Sequence, residues 1–173
     1  MQSNIFDKEP FIGSPDWGES KYWSYKDLRV HFRVTGEESN PPIVLIHGFG
    51  ASSDHWRNNA EIFASEGFRV FGIDLIGFGK SEQNLQGKIK HLENQFWANQ
   101  LASFLDEIVD IQKNGKVILI GNSLGALTAI TTLSNRPELI KTIIAAPLPE
   151  PVFVNPIKFS FPNWLLKVKS FLI

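Results

Sequence analysis

The ten residues VILIGNSLGA, Val117 to Ala126, constrain this chain more than any others. They read as a short apolar strand, a sharp turn with a serine at its tip, and the start of a helix rich in small residues. Gly121 and Gly125 each stand two residues from Ser123, giving the pattern GxSxG. A side chain perched on such a turn sits in a strained backbone conformation, and bulky neighbours two residues away would collide with it. The turn also aims the first free N–H groups of the helix, with their partial positive charge, at any anion formed beside the serine. Five-residue matches occur by chance, so the flanks matter. Four of the five residues before Gly121 are Val, Ile or Leu, and LTAITTL follows as a helix.

The rest of the chain supplies a matching frame. Lys21 to Thr35 alternates aromatic or β-branched residues with polar ones around Lys26-Asp27, which predicts two antiparallel strands. Ile43 to Ile46 and Arg69 to Ile73 are continuous apolar runs of the kind buried on both faces of a sheet. Between them Asp54 is the expected N-cap of a helix over His55 to Ser65, ended by Gly67. LENQFWANQLASFLDEIVDIQ spaces Leu92, Phe96, Leu101, Phe104, Leu105 and Ile108 as an amphipathic helix. The helix after Ser123 runs to about Asn135, and a further buried strand is expected at Leu139 to Ala145. The order β-β-β-α-β-α-β-α-β predicts an α/β fold with a mostly parallel sheet and helices on both faces. Ligands of such sheets gather beyond the C-terminal strand ends, where HGFG, DLIGFGKS and GNSLG all fall.

Those three motifs, at 47–52, 74–81 and 121–125, resemble the α/β-hydrolase fold, and more narrowly serine hydrolases of the cyanobacterial and plastid pheophytinase type. The resemblance covers about residues 22–147. It implies Ser123 as nucleophile, the backbone N–H groups of Phe49 and Leu124 as oxyanion hole, and His47, Gly48 and Asn122 as site-lining residues. It implies hydrolysis of an ester-type bond in an apolar small molecule, with no cofactor and no metal. It also implies an acid and then a histidine after the nucleophile. The sequence has no histidine after His91 and no aspartate after Asp110, while Glu138 and Glu150 are poorly placed. The chain therefore reads as an irregular lead-in (1–20), the first part of the core (21–147) and the start of a lid (148–173), incomplete at its C-terminal side. Its independent activity is expected to be poor, because a general base is worth typically about 10²- to 10⁴-fold.

Other readings compete at each residue. Ser123 as an ordinary helix N-cap fits less well than the flanking glycines do. His47 reads as structural or site-lining, and His31, His55 and His91 as surface or loop residues rather than a relocated base. Asp74, at a strand end, reads as a turn-stabilising carboxylate. GFGKS ends like a phosphate-binding loop, but Asp74 stands where the first glycine is required and would repel phosphate. HGFGASS mimics a dinucleotide-binding unit, with Ser53 in place of the third glycine; it is the weaker alternative. A non-catalytic fragment or complementation scaffold is the other, since the last strand would present an apolar edge.

Composition narrows the partners. Seventeen basic and eighteen acidic residues give a net charge of −1, so the balance does not favour nucleic acid, and the absence of cysteine excludes disulfides and thiolate metal sites. A chain of 173 residues can bury roughly 70% of its unfolded surface in one domain. No run reaches the ~20 apolar residues of a membrane span, and the expectation is a soluble cytoplasmic protein. After the proline-rich APLPEPVFVNP, residues 161–173 carry Trp164, Leu165, Val168, Phe171 and Leu172 around Lys167 and Lys169. This amphipathic segment is the expected site of membrane-surface contact or self-association.

Overall fold

The computed structural model describes residues 16–85 and 92–145. The lead-in before Asp16, His91, Glu150 and the amphipathic segment 161–173 lie outside the described residues. Six strands form one sheet: β1 (Glu19–Tyr25), β2 (Leu28–Thr35), β3 (Pro42–Ile46), β4 (Arg69–Ile73), β5 (Val117–Gly121) and β6 (Ile140–Ala145). Their spatial order is β1-β2-β4-β3-β5-β6. β1, β2 and β4 pair antiparallel, while β4, β3, β5 and β6 run parallel. The alternating pattern at the start of the chain thus makes the hairpin expected of it, with Lys26 and Asp27 both at positive φ in the turn.

The continuous apolar strands are buried from both sides because each face of the sheet carries a core. Val44, Ile46, Phe71, Ile73 and Leu119 face Trp97, Leu101 and Phe104 of α2 (Asn94–Phe104) and Ala129 of α4 (Leu124–Asn135). Ile43, Leu45 and Val70 face Trp17, Trp56 and Ala60, the last in α1 (Ala60–Ser65), with Phe63 packed alongside. Alternate residues of β3 and β4 therefore belong to different cores, as the period of two requires.

Several sequence expectations need correcting. The helix expected over His55 to Ser65 is split into a 3₁₀ turn at Ser53–Trp56 and α1. Asp54 does not cap it. Ser52 accepts the Asp54 N–H, while the Asp54 carboxylate accepts from Arg33 Nε at 3.0 Å. The Arg33 guanidinium, itself buried, also donates to Asp16 and to the Trp17 carbonyl, so an ion pair rather than a cap fixes this segment. The long helix expected through Gln112 ends its α-helical hydrogen bonding at Phe104. It continues as a π turn, Leu105–Val109, before Asp110 at φ +52° breaks it and α3 (Ile111–Asn114) begins. The first strand opens at Glu19, two residues before the run read from Lys21, and Trp17 is buried. The strand expected at Leu139 begins one residue later. It is not buried on both faces: Lys141, Thr142 and Ile144 are exposed, and β6 is the sheet edge among the described residues.

Candidate functional site at the parallel strand ends

Register places the three glycine-rich turns together. Ile46 pairs with Ile73 on one side and with Gly121 on the other, so β3, β4 and β5 end level. HGFG, DLIGFGKS and GNSLG leave from that one edge of the sheet.

Ser123 sits at φ +50° and ψ −112°, a conformation non-glycine residues rarely hold and one that costs about 1–3 kcal/mol. Its hydroxyl makes no capping bond to α4, although it occupies the N-cap position, and the residue is only half-buried. The ordinary capping role is therefore not what this serine performs. Close backbone approach holds the strained turn. The Asn122 N–H donates to the Ile46 carbonyl at 3.0 Å, and a Cβ on Gly125 would lie 2.2 Å from that same oxygen. A Cβ on Gly121 would lie 2.5 Å from the Ala126 nitrogen. Both glycines of the motif are thus required by contact rather than by φ.

The loop after β3 forms the opposite wall. The Ala51 N–H donates to the Gly48 carbonyl, closing a turn with Gly50 at φ +70° in its third position. A Cβ on Gly48 would lie 2.8 Å from Asn122 Oδ1 and 3.4 Å from Ser123 Cβ, so this loop lies against the serine turn. Phe49 projects outward, 80% exposed, with its ring edge-to-face on Phe78 at 5.3 Å. Phe78 in turn contacts His47 and Trp97. Leu124 opens α4, so its amide precedes the first intrahelical bond, which runs from the Leu127 N–H to the Ser123 carbonyl.

His47 is structural. It is fully buried; its Nδ1–H donates to the Gly48 carbonyl at 2.8 Å and its Nε2 accepts the Leu75 N–H at 3.0 Å. With both nitrogens engaged, the ring stitches the ends of β3 and β4 together. Burial pushes its pKa below the usual histidine range, against the opposing pull of the Gly48 carbonyl and Asp74. A histidine held down in this way binds its proton more readily when unfolded. The stability it contributes is present above the ordinary value of about 6.5 and is lost as pH falls through that value toward the folded one. The denaturant midpoint is accordingly expected to drop between about pH 7.5 and about pH 5.5, and His47→Gln to flatten that drop. A decline of equal size in the variant would remove His47 as its cause.

Asp74 behaves as the turn-stabilising residue its position suggested. Its carboxylate accepts the Ser53 N–H at 2.6 Å, the Lys80 N–H at 2.8 Å and His31 Nδ1–H at 2.9 Å. Burial would raise its pKa, but these donors outweigh burial and hold it below the usual value. A carboxylate committed to three protein donors is not offered to a ribose, and this removes the support for a dinucleotide site. His31 is not the surface residue expected. It is 1% exposed on β2, with Nε2 hydrogen-bonded to Ser20 Oγ at 2.8 Å. His55 is exposed and lies edge-on to Trp56. Among the described residues no histidine is hydrogen-bonded to Ser123, and no group of three or more His, Asp or Glu is placed to hold a metal ion. No helix among them is long and apolar enough to cross a membrane.

Sequence reading missed Phe78 and Trp97 as parts of this site. The available signal was the phenylalanine between two glycines in DLIGFGKS. The Trp97 indole N–H donates to the Ile76 carbonyl, and Gln100 both accepts the Ile76 N–H and donates to the Asp74 carbonyl, so α2 fastens that loop from behind.

Comparison with known proteins identifies the fold family. A family model described as alpha/beta hydrolase fold matches residues 41–170. The chain is 29% identical to human epoxide hydrolase 4 over 158 residues, covering 90% of this chain and 42% of that protein. It is 34% identical to the 2-hydroxy-6-oxononadienedioate/2-hydroxy-6-oxononatrienedioate hydrolase of Burkholderia vietnamiensis over 122 residues, 68% of this chain and 39% of the relative. Among solved structures, the thioesterase domain from the curacin biosynthetic pathway superposes with a TM-score of 0.69 at 24% identity, covering 88% of this chain and 51% of that one. The chain spans about two-fifths of the length of these curated relatives.

Proposed function

Because the chain belongs to the α/β-hydrolase fold family, we propose that it carries the nucleophile of an acyl-transfer site, with Ser123 as the attacking residue and an apolar ester-type substrate. The observation that carries this reading is the serine itself: strained at φ +50°, half-buried, and with its hydroxyl unused as a cap. The family resemblance assigns the backbone N–H groups of Phe49 and Leu124 as the donors for a developing oxyanion, and Leu124 follows the serine directly at the start of α4. The exposed Phe49 ring, resting on Phe78, offers an aromatic wall to the apolar part of the substrate. The narrower likeness to pheophytinase-type enzymes rests on the three motifs alone, and pigment esters are one member of this substrate class.

Elementary chemistry favours acyl transfer over epoxide opening, despite the names of several relatives. Attack of a serine oxygen on an acyl carbon gives an ester, which water can cleave to regenerate the enzyme. Attack on an epoxide carbon gives an ether, and the reaction stops there. Among the described residues no histidine is hydrogen-bonded to Ser123, so acylation at this turn has no positioned base among them. A shortfall of about 10²- to 10⁴-fold follows relative to a site with one.

The test is acylation by p-nitrophenyl butyrate, read as p-nitrophenol release and as the mass of the intact chain. Butyrylation is expected at Ser123, accelerated by added imidazole acting as an external base and absent in Ser123→Ala. Modification that persists unchanged at this turn's peptide in the variant, or an imidazole effect equally large without Ser123, would refute the assignment.

A further inference from the structure

A second serine in this molecule, Ser20, has a hydrogen-bonded imidazole, which none of the described histidines gives Ser123. In an antiparallel pair, directly opposed residues share a face, and the β1–β2 register opposes Ser20 to Arg33, Tyr22 to His31 and Ser24 to Arg29. On this face Ser20 Oγ lies 2.8 Å from His31 Nε2, and His31 Nδ1 lies 2.9 Å from Asp74 Oδ2. Serine, imidazole and carboxylate form one continuous hydrogen-bonded chain across three adjacent strands or strand ends.

The protonation states follow from the partners. Asp74 is ionised and accepts, so Nδ1 carries the ring proton, and Nε2 is left as the acceptor facing the Ser20 hydroxyl. This arrangement readies an imidazole to take a proton from an alcohol. Each member is held from behind. The His31 N–H donates to Ser81 Oγ, Ser81 Oγ donates to the Asp74 carbonyl, and the Asp74 N–H donates to the His31 carbonyl. The Tyr22 ring lies 5.2 Å from the imidazole and carries the Arg29 guanidinium on it at 4.8 Å, which puts a cation on the same face. His31 and Asp74 are sealed from solvent, whereas Ser20 is exposed at the mouth of the relay.

We propose that Ser20, His31 and Asp74 form a second nucleophilic centre, separate from the Ser123 turn, which takes up acyl or phosphonyl groups from electrophilic donors with good leaving groups. With a fluorophosphonate, the Ser20 Oγ–P bond forms and the P–F bond breaks. Fluoride departs with the electron pair, and the hydroxyl proton passes to His31 Nε2. The imidazolium so formed keeps the proton and is stabilised by the Asp74 carboxylate that faces its Nδ1–H. A strand offers no paired amides converging on the oxyanion, so the centre is a stoichiometric acceptor rather than a turnover site.

The test uses the full chain carrying Ser123→Ala, reacted with an alkyl fluorophosphonate and mapped by peptide mass spectrometry. Ser24, exposed on the same strand and face, serves as the internal reference. Ser20 is expected to be labelled at least about 100-fold faster than Ser24, the lower end of what a positioned base supplies. Labelling is expected to vanish in Ser20→Ala/Ser123→Ala, and to fall to the Ser24 rate in His31→Gln/Ser123→Ala. Circular dichroism and a thermal midpoint establish that each variant is folded. The exposed Ser20 change leaves the buried pair intact, so its readout stands even where His31→Gln unfolds the chain. Equal rates at Ser20 and Ser24 would overturn the proposal. Because Ser123 is absent throughout, that failure says nothing against the acyl-transfer reading of the other site.

Discussion

Gly125→Ala is expected to cost at least about 3 kcal/mol of folding stability, the upper part of the range for forcing extra volume into a packed interior. The reason is what the new methyl would meet. It would lie 2.2 Å from the Ile46 oxygen, 2.6 Å from the Ile46 carbon and 2.7 Å from the His47 oxygen, all of them backbone atoms of the central strand and the turn after it. Side chains can rotate away from an intruder, but these atoms cannot move without parting β3 from the serine turn. The Asn122 N–H to Ile46 carbonyl bond would be pulled apart with them. Gly67→Ala is the control, since a Cβ there meets nothing within 4 Å while the residue sits at φ +86°. Its cost is the left-handed backbone penalty alone, about 1–2 kcal/mol. Urea denaturation of the two variants separates collision from conformational strain, and the collision account fails if Gly125→Ala is no worse than Gly67→Ala.

Asp74→Ala is expected to be as damaging, at about 3–5 kcal/mol, the usual consequence of removing one partner from a buried ion-paired network. Three donors, the Ser53 and Lys80 N–H groups and His31 Nδ1–H, lose their acceptor together, and Asp74, Ser53 and His31 are all buried. Asp74→Asn keeps the shape and one acceptor oxygen, but turns the other oxygen into a donor that faces donors. It is expected to retain more than half of the alanine penalty. The pH dependence has a definite sign. A carboxyl held below its ordinary value of about 3.9 contributes stability that is complete above that value and disappears as pH falls through the folded one. The gap between the parent chain and Asp74→Ala should therefore be widest near neutrality and close in strong acid. A constant gap down to about pH 2, below the ordinary carboxyl range, would show that packing rather than charge is what Asp74 supplies.

The sequence made the serine turn legible because its requirements are local. A strand, two glycines spaced around a serine and a small-residue helix leave little freedom, and contacts at Gly121 and Gly125 show the spacing to be a matter of collision. The sheet was legible for a similar reason: period-two patterns mark the hairpin, and unbroken apolar runs mark strands covered on both sides. What escaped was set by partners far along the chain. His31 looked like a polar residue on a half-exposed strand, and only Asp74, 43 positions away, explains its burial. Asp54 had the credentials of a helix cap, yet Arg33 claimed its carboxylate. β6 stands at the edge, as its place in the chain suggested, but its composition is that of a strand covered on both faces and does not show that Lys141, Thr142 and Ile144 are exposed.

The placement of β3 has a consequence for biosynthesis. This strand lies at the middle of the sheet, where Ile43 pairs with Val70 on one side and with Ile118 on the other. A nascent chain leaving the ribosome presents PIVLI well before its second neighbour, which is translated only some seventy residues later, after about 4–14 s at about 5–20 residues per second. Throughout that interval one flank of this wholly buried strand stays open, a standing invitation to chaperones that bind extended hydrophobic segments during synthesis.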